Sequence, residues 1–131
     1  MTLDQIIAIH KELRYEEALS AYEAYLDNNQ DPHAKELYAI ALAQSHHYEK
    51  ALSIFKELYR QHPKRYSLLN HIALCHKHLG KLDLAQKHLK QSIKIQPYAT
   101  TYNNLASIYL SQRDFIQAAI LLQKALMLYP Q

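Results

Sequence analysis

At 131 residues, 49% of them apolar, the chain has the size and composition of one globular domain. It holds no apolar run near the roughly 18–20 residues of a bilayer span, and no Gly/Ser-rich linker. A single cysteine, Cys75, excludes an internal disulfide, and Met1-Thr2-Leu3-Asp4 lacks the basic start of a signal peptide, so a reducing, cytoplasmic location is expected. The net charge of +3 hides a polarity: residues 1–59 hold 5 basic and 10 acidic side chains, residues 60–131 hold 10 and 2.

Helical spacing of apolar residues predicts eight helices. The first, over 2–12, opens on Thr2-Leu3-Asp4-Gln5, which reads as a capping box, and carries Ile6, Ile9 and Leu13 at helical intervals. A second spans 15–28. Asp31-Pro32 supplies an N-cap and a proline at the first helical position for the third, 32–45. Helices over 48–61, 66–79 and 82–95 follow, with Gly80, the only glycine, where the chain must turn between the last two. The last two cover 99–111 and 115–129. No segment alternates as a strand does, so the fold class is all-α.

The helices repeat in pairs. Tyr15-Glu16-Glu17-Ala18-Leu19 returns as Tyr48-Glu49-Lys50-Ala51-Leu52, then as Leu82-Asp83-Leu84-Ala85 and Phe115-Ile116-Gln117-Ala118. Ala18, Ala51, Ala85 and Ala118 thus fall 33, 34 and 33 residues apart. Ala39, Ala73 and Ala106 keep the same beat, as do Pro63, Pro97 and Pro130. A small side chain at each alanine lets two helices approach closely. A period of this length marks an array in which each unit buries its apolar face by stacking on a neighbour.

The repeated positions resemble the tetratricopeptide repeat, which places an aromatic, Leu-Gly and Tyr on its first helix, then Ala, an aromatic and a closing Pro. The last unit is similar almost throughout: Tyr102, Leu105-Ala106, Tyr109, Ala118, Leu122, Ala125, Pro130. Tyr38-Ala39, Leu42, Ala51, Phe55 and Pro63 carry the likeness in the second unit, and Ile72-Ala73, His76, Ala85, Leu89 and Pro97 in the third. The first unit keeps Ala18 and Tyr22 but has Gln5-Ile6 in place of Leu-Gly. The resemblance implies an α-solenoid of four antiparallel helix pairs, approximately 1–31, 32–65, 66–98 and 99–131, forming a single domain.

The resemblance further implies a protein-interaction scaffold without enzymatic activity, in which the first helix of each unit lines a groove for a peptide segment or helix of a partner. Carried over by position, the groove residues are Glu36, Ile40, Asn70, His71, Leu74, His78, Asn103, Asn104 and Ser107. Some family members grip a C-terminal carboxylate with Lys, Arg and Asn. Here the matching positions are Glu36, Ile40, His71, Thr100 and Asn104, or, one unit earlier, Leu3, Ile7, Leu37, Ser67 and His71. Neither set supplies the cations, so no carboxylate clamp is expected. Asn104 resembles instead the asparagine with which repeat-bearing glycosyltransferases hold peptide backbone. A side-chain amide offers both donor and acceptor to a backbone of any sequence. Two rival expectations are a chaperone for secreted proteins and a recruitment arm of a larger enzyme such as a transferase.

Other chemistry is weaker. His71, Cys75 and His78 stand at i, i+4 and i+7 and could face one way towards a metal, yet Cys75 matches Ala41 and Ile108 in neighbouring units and is expected in the core. No metal and no cofactor are expected. There is no nucleophile–base pair and no phosphate-binding glycine loop. Lys87, Lys90 and Lys94 share a helix face that nucleic acid would need, but without interleaved aromatics a nucleic-acid partner is not expected. The eleven tyrosines are expected mostly at core positions. Finally, Ile116, Ile120 and Met127 stand where the third unit has Asp83, Lys87 and Lys94, with Leu121 and Leu128 adding apolar surface. An apolar outer face at the end of an array implies an interface. The chain is therefore expected either to continue into a longer protein or to self-associate through this helix.

Overall fold

The computed structural model describes residues 1–128; Tyr129, Pro130 and Gln131, including the end of the last predicted helix and the last proline of the series, lie outside the described residues. Eight α-helices and no strand occur among them: α1 Leu3–Lys11, α2 Tyr15–Asn28, α3 Pro32–Gln44, α4 Tyr48–Gln61, α5 Ser67–His78, α6 Leu82–Ile95, α7 Ala99–Ser111 and α8 Phe115–Leu128. The predicted boundaries agree to within one residue.

Local chemistry sets the ends. Thr2 Oγ1 accepts from the Gln5 amide and Gln5 Oε1 from the Thr2 amide at 2.8 Å, a reciprocal capping box. Asp31 Oδ1 accepts from the amides of His33 and Ala34 above Pro32. Each pair turns through three residues whose middle member has positive φ: Leu13 at 62°, His46 at 70°, Gly80 at 81° and Arg113 at 62°. These four recur on the same beat as the alanines. The third turn alone uses glycine, so the other three carry an L-residue in the left-handed region at a cost on the order of 1 kcal/mol each. The turn closes in the same way in three pairs, with His47 N donating to Leu42 O, Lys81 N to His76 O and Asp114 N to Tyr109 O at 2.7–2.9 Å. Sequence reasoning found Gly80 but missed its three counterparts.

The helices gather into two compact units, Met1–Gln61 and His62–Gln131. In the first, α1 packs on α2, α2 on α3 and α3 on α4. Its core holds Ile6, Ala18, Tyr22, Ala39, Ala51 and Phe55, each at most 1% exposed. His10 links three helices: its Nδ1 meets the Tyr22 hydroxyl at 2.9 Å and its Nε2 meets Gln44 Oε1 at 2.6 Å. With Nε2–H donating to the amide oxygen, Nδ1 is left to accept from the phenol.

In the second unit α5 packs on α6, α6 on α7, α7 on α8, and α5 also touches α7. Ala73, Ala85, Leu89, Leu105, Ala106, Ile108, Ala118 and Leu121 form its core, with Leu82, Ile93, Tyr102 and Tyr109 packed around it. All seven repeat alanines are buried, as close helix approach requires. Among the described residues Tyr22 and Tyr38 are buried, Tyr98 is exposed and the other tyrosines are half-buried. The Tyr98 ring stacks on Tyr66 with centroids 4.9 Å apart.

Candidate functional site

The helix face that binding requires is what core packing leaves over. In α5 the core takes Leu68, Leu69, Ile72, Ala73, Cys75 and His76, leaving Asn70, His71, Leu74 and Lys77 half-buried and His78 exposed. In α7 the core takes Thr101, Leu105, Ala106 and Ile108, leaving Asn104 and Ser107 half-buried and Asn103 exposed. Since α5 touches α7, these two remainders adjoin within the second unit. Seven of the nine groove positions inferred from sequence therefore fall on neighbouring helices. Glu36 and Ile40 belong to the first unit, both half-buried on α3.

The individual roles differ from expectation. Asn70 Nδ2 donates to Thr101 Oγ1 at 3.0 Å, and Asn70 Oδ1 is covered and accepts no bond within the chain. Asn70 is thus a tie between α5 and α7, with little amide left to offer a ligand. Ser107 is likewise engaged, accepting from Lys77 Nζ at 2.5 Å. Neither bond uses Asn103, which is exposed, or Asn104, which is half-buried. Lys77 brings to this face a positive charge that the sequence reading missed. The signal was there: Lys77 follows Asn70 by seven residues and Leu74 by three, one stripe of a helix. In the first unit, Gln44 is occupied by His10.

The other candidates separate clearly. Cys75 is 1% exposed, and burial pushes its thiol up to about 11. It serves as a small core residue between a half-buried His71 and an exposed His78. Among the described residues no three His, Cys, Asp or Glu side chains are grouped to hold a metal ion. His76, which stands in the core position of Leu42 and Tyr109, stacks on His88 with centroids 5.3 Å apart. Lys87, Lys90 and Lys94 line a shallow surface depression of α6 together with Asp83, Gln86 and Gln91. Lys90 also reaches over the Tyr109 ring at 6.0 Å.

On α8 the structure corrects one residue of the expected interface. Leu121 is only 8% exposed and belongs to the core, because it shares a helix side with Ala118 and Ala125. Ile116, Ile120, Met127 and Leu128 are exposed, joined by Phe115, Leu122 and Leu126. No helix among the described residues is long and apolar enough to cross a membrane.

Helix pairs of fixed period, a left-handed turn in each and a small residue at every close approach define the α-solenoid class of helical repeats. Tetratricopeptide-repeat models match the sequence over residues 11–66 and 64–131. The chain belongs to the tetratricopeptide-repeat family. Among solved structures it is similar to MamA residues 41-end from Desulfovibrio magneticus RS-1, with a TM-score of 0.84 and 16% identity over 95% of this chain and 72% of that one. It is also similar to YrrB, described as a TPR protein with an unusual peptide-binding site, with a TM-score of 0.79 and 17% identity over 96% of this chain and 66% of that one. At such identity the likeness is one of fold. No curated protein matches the sequence.

Proposed function

We propose that this chain is a non-enzymatic protein-interaction scaffold that holds a peptide segment or helix of a partner along the α5–α7 face, without a carboxylate clamp. The observation that carries this reading is the exposed Asn103 and half-buried Asn104 on α7, one turn before the Ser107 that Lys77 of α5 reaches. An amide pairs with peptide backbone regardless of side chain, and one lysine adds attraction for acidic segments. Residues 62–131 hold 9 basic and 2 acidic side chains, which favours such a segment further. The peptide-binding site named for the similar YrrB fold supports the same use of the repeat. A clamp for a terminal carboxylate needs several cations; Lys77 supplies one.

Pull-down with mass spectrometry tests this reading. An Asn103→Ala/Asn104→Ala variant is expected to lose partners that wild type retains, while a Lys87→Ala/Lys94→Ala control on α6 keeps them. An unchanged partner set in the asparagine variant, with circular dichroism confirming its fold, refutes the face as the binding site.

A further inference from the structure

The strongest unused feature is the outer arc of α8. A step of about 100° per residue puts Ala118, Leu121 and Ala125 towards the core. It spreads Phe115, Leu122, Leu126, Ile116, Met127 and Ile120 over an adjoining arc. These six are 57%, 40%, 69%, 76%, 78% and 43% exposed. Part of the arc matches a surface that is covered one repeat earlier. Leu82, Leu89 and Ile93 of α6 pack into the core formed with α7, and Phe115, Leu122 and Leu126 stand 33 residues later. α8 therefore presents a helix-packing surface with no helix from the described residues on it.

Three observations select the occupant. The arc carries no charge: Lys124 is the only charged residue of α8, and on the helical wheel it lies outside the arc beside Gln117. The rest of the second unit is strongly basic, so within that unit this arc is where two identical faces meet with least repulsion. Gln123 is the one polar residue within the arc, and a side-chain amide can satisfy another amide of its own kind, donor to acceptor and acceptor to donor. From their fractional exposures the six residues offer at most roughly 700 Å² per copy, the same order as the ~800 Å² each partner gives to a standard stable interface.

We propose that the chain forms a two-fold symmetric dimer through α8, with the helices antiparallel and the axis passing near Gln123. A two-fold contact presents one patch to itself, and this patch is uncharged and self-complementary. The axis sets Ile120 and Ala119 of one copy opposite Leu126 and Met127 of the other. Opposed helix dipoles favour the same orientation.

Light scattering on the full chain across about 1–200 µM tests the proposal. The mass is expected to rise from 15.3 kDa to twice that value. Leu126→Glu and Met127→Glu, at exposed positions, are each expected to raise the dimer dissociation constant roughly tenfold to a hundredfold. Gln123→Cys, which adds no buried charge, is expected to give a covalent dimer on mild oxidation, since Cys75 is too buried to compete. A mass of 15.3 kDa throughout overturns the proposal. A dimer that survives both glutamates, or one that Gln123→Cys fails to link, overturns it equally.

Discussion

The third and fourth helix pairs, α5–α6 and α7–α8, follow one plan to different ends. Both bury an alanine at the close approach, Ala85 and Ala118, and both turn through a left-handed residue, Gly80 and Arg113. Beyond that they diverge. Leu89 is fully buried because α7 covers it, whereas its counterpart Leu122 is 40% exposed. The outer positions of α6 hold Asp83, Lys87 and Lys94, and those of α8 hold Ile116, Ile120 and Met127. The repeat thus fixes the inner side of each helix and leaves the outer side free to suit whatever lies beyond it. The outer face, more than the repeat count, tells which helix is meant to be covered.

Truncating the paired leucines gives the largest expected contrast. Leu89→Ala empties a closed core and should lower stability by about 2–4 kcal/mol in urea unfolding. Leu122→Ala removes a side chain already partly in water and should cost under about 1.5 kcal/mol in the dilute chain. The gap between the two should narrow as protein concentration rises, because the dimer buries Leu122. A gap independent of concentration would separate Leu122 from the dimer contact.

Cys75 and its counterpart Ile108 differ in what alkali does to them. Burial in the folded chain holds the Cys75 thiol protonated up to about 11, above the ordinary value of 9.0. Its contribution is whole below pH 9 and is lost as pH rises towards 11, on the order of 2 kcal/mol at the upper end. Cys75→Ala should flatten the decline in melting temperature over that window relative to wild type. Equal slopes for the two proteins would show that other groups carry the alkaline transition.

The turns give the smallest effect. Gly80→Ala should destabilise by about 1 kcal/mol through backbone strain alone, because an added Cβ meets nothing within 4 Å. Arg113→Gly should gain a similar or smaller amount by relieving that strain. Opposite signs in thermal melts are the expected result; the same sign in both would mean that side-chain contacts of Arg113, which lies over the Phe115 ring at 5.8 Å, outweigh its φ.

Periodicity made the helices and their order readable, since each alanine and capping residue acts on its immediate neighbours. The Thr2–Gln5 box, the Asp31 cap and the burial of Cys75 all follow from such local rules. The site was readable only in outline. That Asn70 spends its amide on Thr101, thirty-one positions away, depends on how α5 meets α7, and so does the arrival of Lys77 at Ser107. The inward side of Leu121 was hidden because α8 has only three polar residues, Gln117, Gln123 and Lys124, too few to mark which apolar side faces inwards. The strained turns at Leu13, His46 and Arg113 were hidden by residue types that do not advertise positive φ.

The α8 arc shares no residue with the α5–α7 face, which has a consequence for avidity. A dimer joined at α8 would present two copies of the α5–α7 face on one particle. A partner bearing two recognition segments would then bind its second site at an effective concentration that reaches the millimolar range for short flexible linkers. Weak single contacts would add up to firm retention, and recruitment would follow the abundance of the scaffold as steeply as that of its ligand.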